Sequence, residues 1–176
     1  MKTNDVGDLV LDEPEAMRVL ADPARLALHD RLRRGGPATA DELGAGVRDH
    51  LEELERVGLV TREEERWTAV GKGIVFEIPE DPEGQTAARA LANVMLLNYA
   101  DLPGRWVAET EPRLELDWVR AAGLFNARVT MTPDELRELQ EGLERLLEAL
   151  INRGPEELPE GAAAVRILGY FLPEGP

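Results

Sequence analysis

The stretch Met17 to Phe76, MRVLADPARLALHDRLRRGGPATADELGAGVRDHLEELERVGLVTREEERWTAVGKGIVF, decides the fold. A first apolar helix spans Glu13 to Ala21, and Asp22-Pro23 opens a second. An aspartate there accepts from the free N–H groups of the first turn, and a proline has no N–H to leave unpaired. Leu26, Ala27, Leu28 and Leu32 give the second helix its core-facing stripe, and Gly35-Gly36-Pro37 ends it. Thr39 with Glu42 three residues on is a capping box, opening a short helix in which only Leu43 is strongly apolar. Gly44 and Gly46 break it at once. Val47, Leu51, Leu54 and Val57 then recur at helical spacing, with Gly58 as the stop. Leu59-Val60-Thr61 reads as a strand, Glu63 to Glu65 as a turn and Trp67 to Val70 as the returning strand. Ile74, Phe76 and Ile78 alternate as a further strand.

Beyond a linker at Pro79 to Pro82, Gln85 to Tyr99 is apolar on nearly all sides, which predicts a helix buried all round. A domain this small has little interior to spare. The expected destination of Leu91, Val94, Met95 and Leu97 is therefore a dimer interface. Trp106, Trp118 and Val119 lie in a second helical region, interrupted by Pro103-Gly104 and Pro112. Phe125 to Met131 alternates weakly as a strand. Thr132, Pro133 and Glu135 form another capping box. It opens a strongly amphipathic helix carrying Leu136, Leu139, Leu143, Leu146, Leu147 and Leu150, which Gly154-Pro155 ends. Ala164 to Leu172 reads as a buried terminal strand, so the last third is expected to be strand, helix, strand.

Composition bounds the chemistry. The chain has 176 residues, 43% of them apolar, enough for a real core. It carries 20 Lys+Arg against 35 Asp+Glu, a net charge of −15. Residues 1–80 alone hold 11 and 18, a net of −7, so neither half is basic. Duplex DNA is a polyanion bound largely through Lys and Arg, so this balance speaks against nucleic acid unless a local basic patch serves. The absence of cysteine excludes disulfides and thiolate metal sites. With a polar, acidic Met1 to Asp12 that does not read as a secretory leader, it points to the cytoplasm. The most apolar run, Ala87 to Ala100, is too short and too polar at Arg89, Asn93 and Asn98 to cross a bilayer. His29 and His50 are the only imidazoles, and His29, in an apolar helix, reads as a core-edge residue rather than a ligand. No phosphate loop, calcium loop or serine nucleophile motif is present. The expectation is a non-enzyme without metal or cofactor. Trp67, Trp106, Trp118 and Tyr99 either line an effector cavity or fill the core.

The order helix, helix, short helix, helix, hairpin is the layout of a winged helix-turn-helix. The residues Leu20-Ala21-Asp22-Pro23-Ala24-Arg25-Leu26, Gly36-Pro37-Ala38-Thr39 and His50 to Val60 resemble the ArsR-like regulators. Glu65-Arg66-Trp67 and Gly71-Lys72-Gly73 match the wing, and Met131 to Leu136 is similar to the C-terminal helix of a branch with a long extension. The resemblance implies a mainly α, α+β fold. A winged helix-turn-helix DNA-binding domain would occupy residues 13–78, and a dimerisation and regulatory domain residues 83–176. It implies a homodimeric transcription factor, usually a repressor, bound to double-stranded operator DNA and tuned by a small-molecule effector. The DNA contacts would be Arg48 and His50 on the recognition helix and Arg62, Arg66 and Lys72 on the wing. Between Leu43 and His50 only Gly44 to Asp49 remain, about seven residues fewer than a typical helix-turn-helix uses there. Arg48 is either a base or phosphate contact or a solvated charge beside Asp49 and Glu52. Arg31, Arg33 and Arg34 either clamp a DNA backbone or complement a helix end. The shortened turn, the acidic wing and the negative charge also fit a different class, a winged scaffold kept for binding a protein partner without DNA.

Overall fold

Asp22 does what its position before Pro23 requires: its carboxylate accepts from Ala24 and Arg25 N–H at 2.9 and 3.1 Å. It thereby starts the helix around which the N-terminal half is built. The computed structural model describes residues 2–4 and 7–174. Helix α1 (Pro14–Leu20) precedes α2 (Pro23–Gly35), and after β3 (Ala38–Thr39) come α3 (Ala40–Leu43) and α4 (Arg48–Arg56). Strands β4 (Val60–Glu63) and β5 (Arg66–Ala69) form an antiparallel hairpin with Val60 opposite Ala69 and Glu63 opposite Arg66. β3 adds to its other side, giving the order β3-β5-β4. α2 touches α1, α4, β5 and α5 (Pro82–Tyr99), and α5 lies along α1. Met17, Leu20, Leu26, Leu51, Leu54 and Trp67, each at most 1% exposed, fill the space between them. The class is mixed α and β with small sheets, as an α+β reading requires.

Of the second sheet, the sequence reading holds only the strand at Ile74 and Phe76. β1 (Lys2–Thr3) and β2 (Leu9–Leu11) precede the helices, and β2 pairs in parallel with β6 (Ile74–Phe76), Leu9 against Ile74 and Leu11 against Phe76. Leu9, Val10 and Leu11 are all buried, so the polar start of the chain carries one short core strand. Gly71 makes this pairing possible. Its φ is +80°, and a Cβ there would stand 2.7 Å from the Leu9 nitrogen. Any other residue would collide with the strand, besides being strained.

The remaining elements match the expectations only in part. Within its own chain α5 sets Gly84, Ala87, Ala88 and Leu91 against the core and leaves Leu96 and Leu97 47% and 68% exposed. Because α5 packs on α1, the first compact unit runs to Met131 and the second from Thr132, whereas the sequence placed the boundary at residues 78–83. Phe125 to Met131 and Ala164 to Leu172 form no strand, and Phe125 is 91% exposed. Alternating apolar residues make a strand only when another strand's edge satisfies their backbone groups, and neither segment has one. The first unit closes with α6 (Leu102–Arg105), a π-helical turn at Trp106–Thr110 and α7 (Leu116–Ala121), none of which buries a residue. The second unit contains α8 (Pro133–Ile151), with Thr132 and Glu135 forming the expected capping box. The expected strand–helix–strand is therefore a helix flanked by extended chain.

Leu51 is fully buried among α1, α2 and α4. Leu51→Ala should cost about 3 kcal/mol of unfolding free energy. Thr39→Ala, which removes only the α3 cap, should cost about 1 kcal/mol. Urea titrations followed by circular dichroism measure both.

Candidate nucleic-acid interface

The short connection between α3 and α4 is held by side chains rather than by length. Thr39 Oγ1 accepts from Glu42 N–H at 3.2 Å, and Glu42 Oε2 accepts from Thr39 N–H at 2.8 Å. A four-residue helix leaves its last carbonyls without partners. Arg31 reaches over from α2 and donates to the Leu43 and Glu42 carbonyls at 2.6 and 2.7 Å. Gly44 and Gly46, at φ +131° and +76°, then turn the chain into α4. Leu51 and Leu54 face the core, so Arg48, Asp49, Glu52 and Arg56 form the exposed edge of α4, with His50 half-buried.

The hairpin stands beside that edge, and ion pairs tie the two together. Arg48 lies 3.9 Å from Glu65, and Arg62 lies 3.9 Å from Glu55 while its guanidinium stacks 4.9 Å over the buried Trp67 ring. Arg66 pairs with Glu42 at 3.4 Å and donates to the Pro37 carbonyl. Glu42 accepts from Thr39 N–H and lies beside Arg66, and both hold its carboxyl below the usual range. Arg48 and Arg62 therefore lie where α4 meets the hairpin, whereas Arg66, opposite Glu63 and next to the inward-facing Trp67, projects from the other face of the hairpin toward Glu42 of α3. Lys72 lies apart, in the loop before β6, where its backbone N–H donates to the Gly7 carbonyl at 2.8 Å. Residues 48–66 carry seven carboxylates against four arginines. The two hairpin-tip residues are Glu64 and Glu65, and Glu64 takes a φ of +54°, unusual for a residue with a long side chain.

The basic cluster of α2 is engaged within the chain. Arg33 bonds the Asp30 carboxylate at 3.2 Å and the Lys72 carbonyl at 3.0 Å, and Arg34 bonds the Asp30 carbonyl at 3.1 Å. Asp30 is buried, and Tyr99, the last residue of α5, donates to its other oxygen at 2.8 Å. The sequence reading missed this pair, because nothing local marks a helical aspartate as buried. Of the expected dimer residues, Leu91 is fully buried within its own chain, a correction to its assigned role. Val94 and Met95 pack partly on the same core, and Leu97 is exposed. Trp67 belongs to the core, and Trp118 lines a shallow hollow with Asp117 and Ala121. Among the described residues, no group of three or more His, Asp or Glu is placed to hold a metal ion. No helix there is long and apolar enough to cross a membrane.

His29 is wholly buried, with the Leu59 and Val70 backbones beside its ring. Burial pushes it from 6.5 down to about 4, against the opposing pull of Asp30. The unfolded chain thus binds a proton that the folded one refuses. Stability is full above pH 6.5, declines as pH falls from there to about 4, and loses no more to this group below. The slope within that window should approach 1.4 kcal/mol per pH unit. His29→Leu should flatten it, as read from urea midpoints across pH. No protein-family model, curated protein or solved structure matches this chain.

Proposed function

We propose that residues 13–78 form a winged helix-turn-helix and that the chain is a DNA-binding transcriptional regulator, a cytoplasmic homodimer of repressor type. One observation carries this reading. α4 and the β4–β5 hairpin lie side by side, tied by the Arg48–Glu65 and Arg62–Glu55 pairs, with Arg48, Arg62 and Arg66 all exposed. Helix and hairpin side by side are the parts that such modules lay against a major groove and its flanking backbone. The carboxylates beside these arginines do not bar the role. Ion pairs between half-exposed side chains contribute about 0–1 kcal/mol, so a phosphate displaces the carboxylate at small cost. The short α3–α4 connection concentrates the available contacts in the first turn of α4, at Arg48, and in the hairpin.

The charge count favours a second reading as well. Seven carboxylates among residues 48–66, with Arg48, Arg62 and Arg66 each paired to one of the chain's own acids, suit a face that binds a basic protein partner. Titration of the full chain against duplexes enriched from genomic fragments, at several salt concentrations, separates the two. The regulator reading expects log affinity to fall linearly with log salt. Arg48→Ala/Arg66→Ala should then lower that slope by about two. A folded protein that shows no salt-dependent duplex binding would leave the protein-partner reading in its place.

A further inference from the structure

We infer that the leucine face of α8 is the seam on which a second copy of this chain docks, helix against helix. Leu136, Leu139, Leu143, Leu146 and Leu150 are spaced 3, 4, 3 and 4 residues apart. That alternation sets all five on one face of the helix, as a coiled-coil seam requires. None of these leucines is buried: Leu139, Leu146 and Leu150 are 47%, 73% and 54% exposed. A seam at this spacing fits another helix, and two features of α8 make its own copy the occupant.

The first is where the charge lies. With Leu136, Leu143 and Leu150 at the first seam position of each heptad, the flanking positions are Glu135, Gln140, Gly142, Leu147 and Ala149. Only Glu135 is charged, and it is folded back onto Thr132 in the capping box. Of the other ionised side chains, Glu138 reaches the edge of the seam, while Arg137 pairs with Asp134 and Arg145 lies 3.7 Å from Glu141 on the outer side. Two copies of an acidic helix therefore meet with most of their carboxylates turned away from each other. A basic partner helix would find only Glu135 and Glu138 beside the seam to recognise.

The second is a built notch. Gly142 stands at the midpoint of the 19-residue helix, and a Cβ there would meet nothing nearer than the Arg145 tip at 3.8 Å. Leu139, Leu143 and Leu146 line the hollow left beside it, with Glu135 and Glu138 at its rim. A leucine from a facing helix fits such a hole. Because the hole is central and leucines lie on both sides of it, each helix offers the other the same knob and hole, as an isologous two-fold contact demands. The seam deepens the homodimer proposed above and rests on it. Its test contains no DNA, so failure here is separable from failure of DNA binding.

Sedimentation equilibrium of the full chain should give twice the chain mass at about 100 µM, with dissociation on dilution, since a seam this short holds a modest dimer. Leu139→Glu/Leu146→Glu should sediment as a monomer with unchanged helical content. The chain has no cysteine, so single introduced thiols report cleanly. A short bismaleimide should join copies of Leu143→Cys and leave Glu141→Cys, on the far side of α8, as single chains. The thiol pair decides the question even if the double glutamate variant fails to fold. A monomeric wild-type chain at that concentration, a double variant that stays dimeric, or equal cross-linking from both thiols would overturn the seam.

Discussion

A buried carboxylate must be matched where it stands, and Asp30 sets that requirement at the centre of the first unit. It sits on α2, the helix that touches α1, α4, α5 and β5. Tyr99 satisfies one oxygen from the end of α5, and Arg33 the other, while the same arginine holds the Lys72 carbonyl. Leu9 and Lys72 N–H in turn bond to Gly73 and Gly7 carbonyls, which docks the N-terminal strand on the loop before β6. One charge thus fixes the end of a long helix and, through a single guanidinium, the loop that carries β2. Removing a partner from such a group costs about 3 kcal/mol, more than a typical apolar contact, because the charge stays buried. His29, the next residue, lies in the same dry interior and meets the same constraint by staying neutral.

The surface of that unit follows a different economy. Exposed arginines there are held by carboxylates at 2.6 to 4.0 Å, with both side chains well hydrated. Such pairs orient side chains without contributing much stability, and they yield readily to a stronger anion. Arg31 instead commits its charge to the carbonyls that end α3. The compact turn before α4 depends on it, and this engagement removes one basic residue from the charge that an outside phosphate would meet.

The chain after α5 is organised by what it lacks. From α6 to the end of the described residues, no residue is buried, although Phe125, Val165, Leu168 and Phe171 are apolar. α8 forms all the same, because a capping box and leucine-rich helical periodicity act within one segment. The flanking apolar stretches do not form strands, because a strand is stable only against another strand.

What could be read from the chain alone is what neighbouring residues decide between themselves. The Asp22, Thr39 and Thr132 caps, the breaks at Gly36, Gly44 and Gly58, the hairpin around Glu64-Glu65, and the outward placement of Arg48, Arg62 and Arg66 are all local in origin. The tertiary structure alone decided the pairings between distant residues: β2 with β6, Tyr99 with Asp30, Arg31 with the end of α3, and α5 with α1. It also decided that Leu91 is buried within its own chain while the leucines of α8 remain exposed. Helix periodicity names the side chains that need cover but not the surface that covers them. That surface is set by which faces, far apart in sequence, fit together in space.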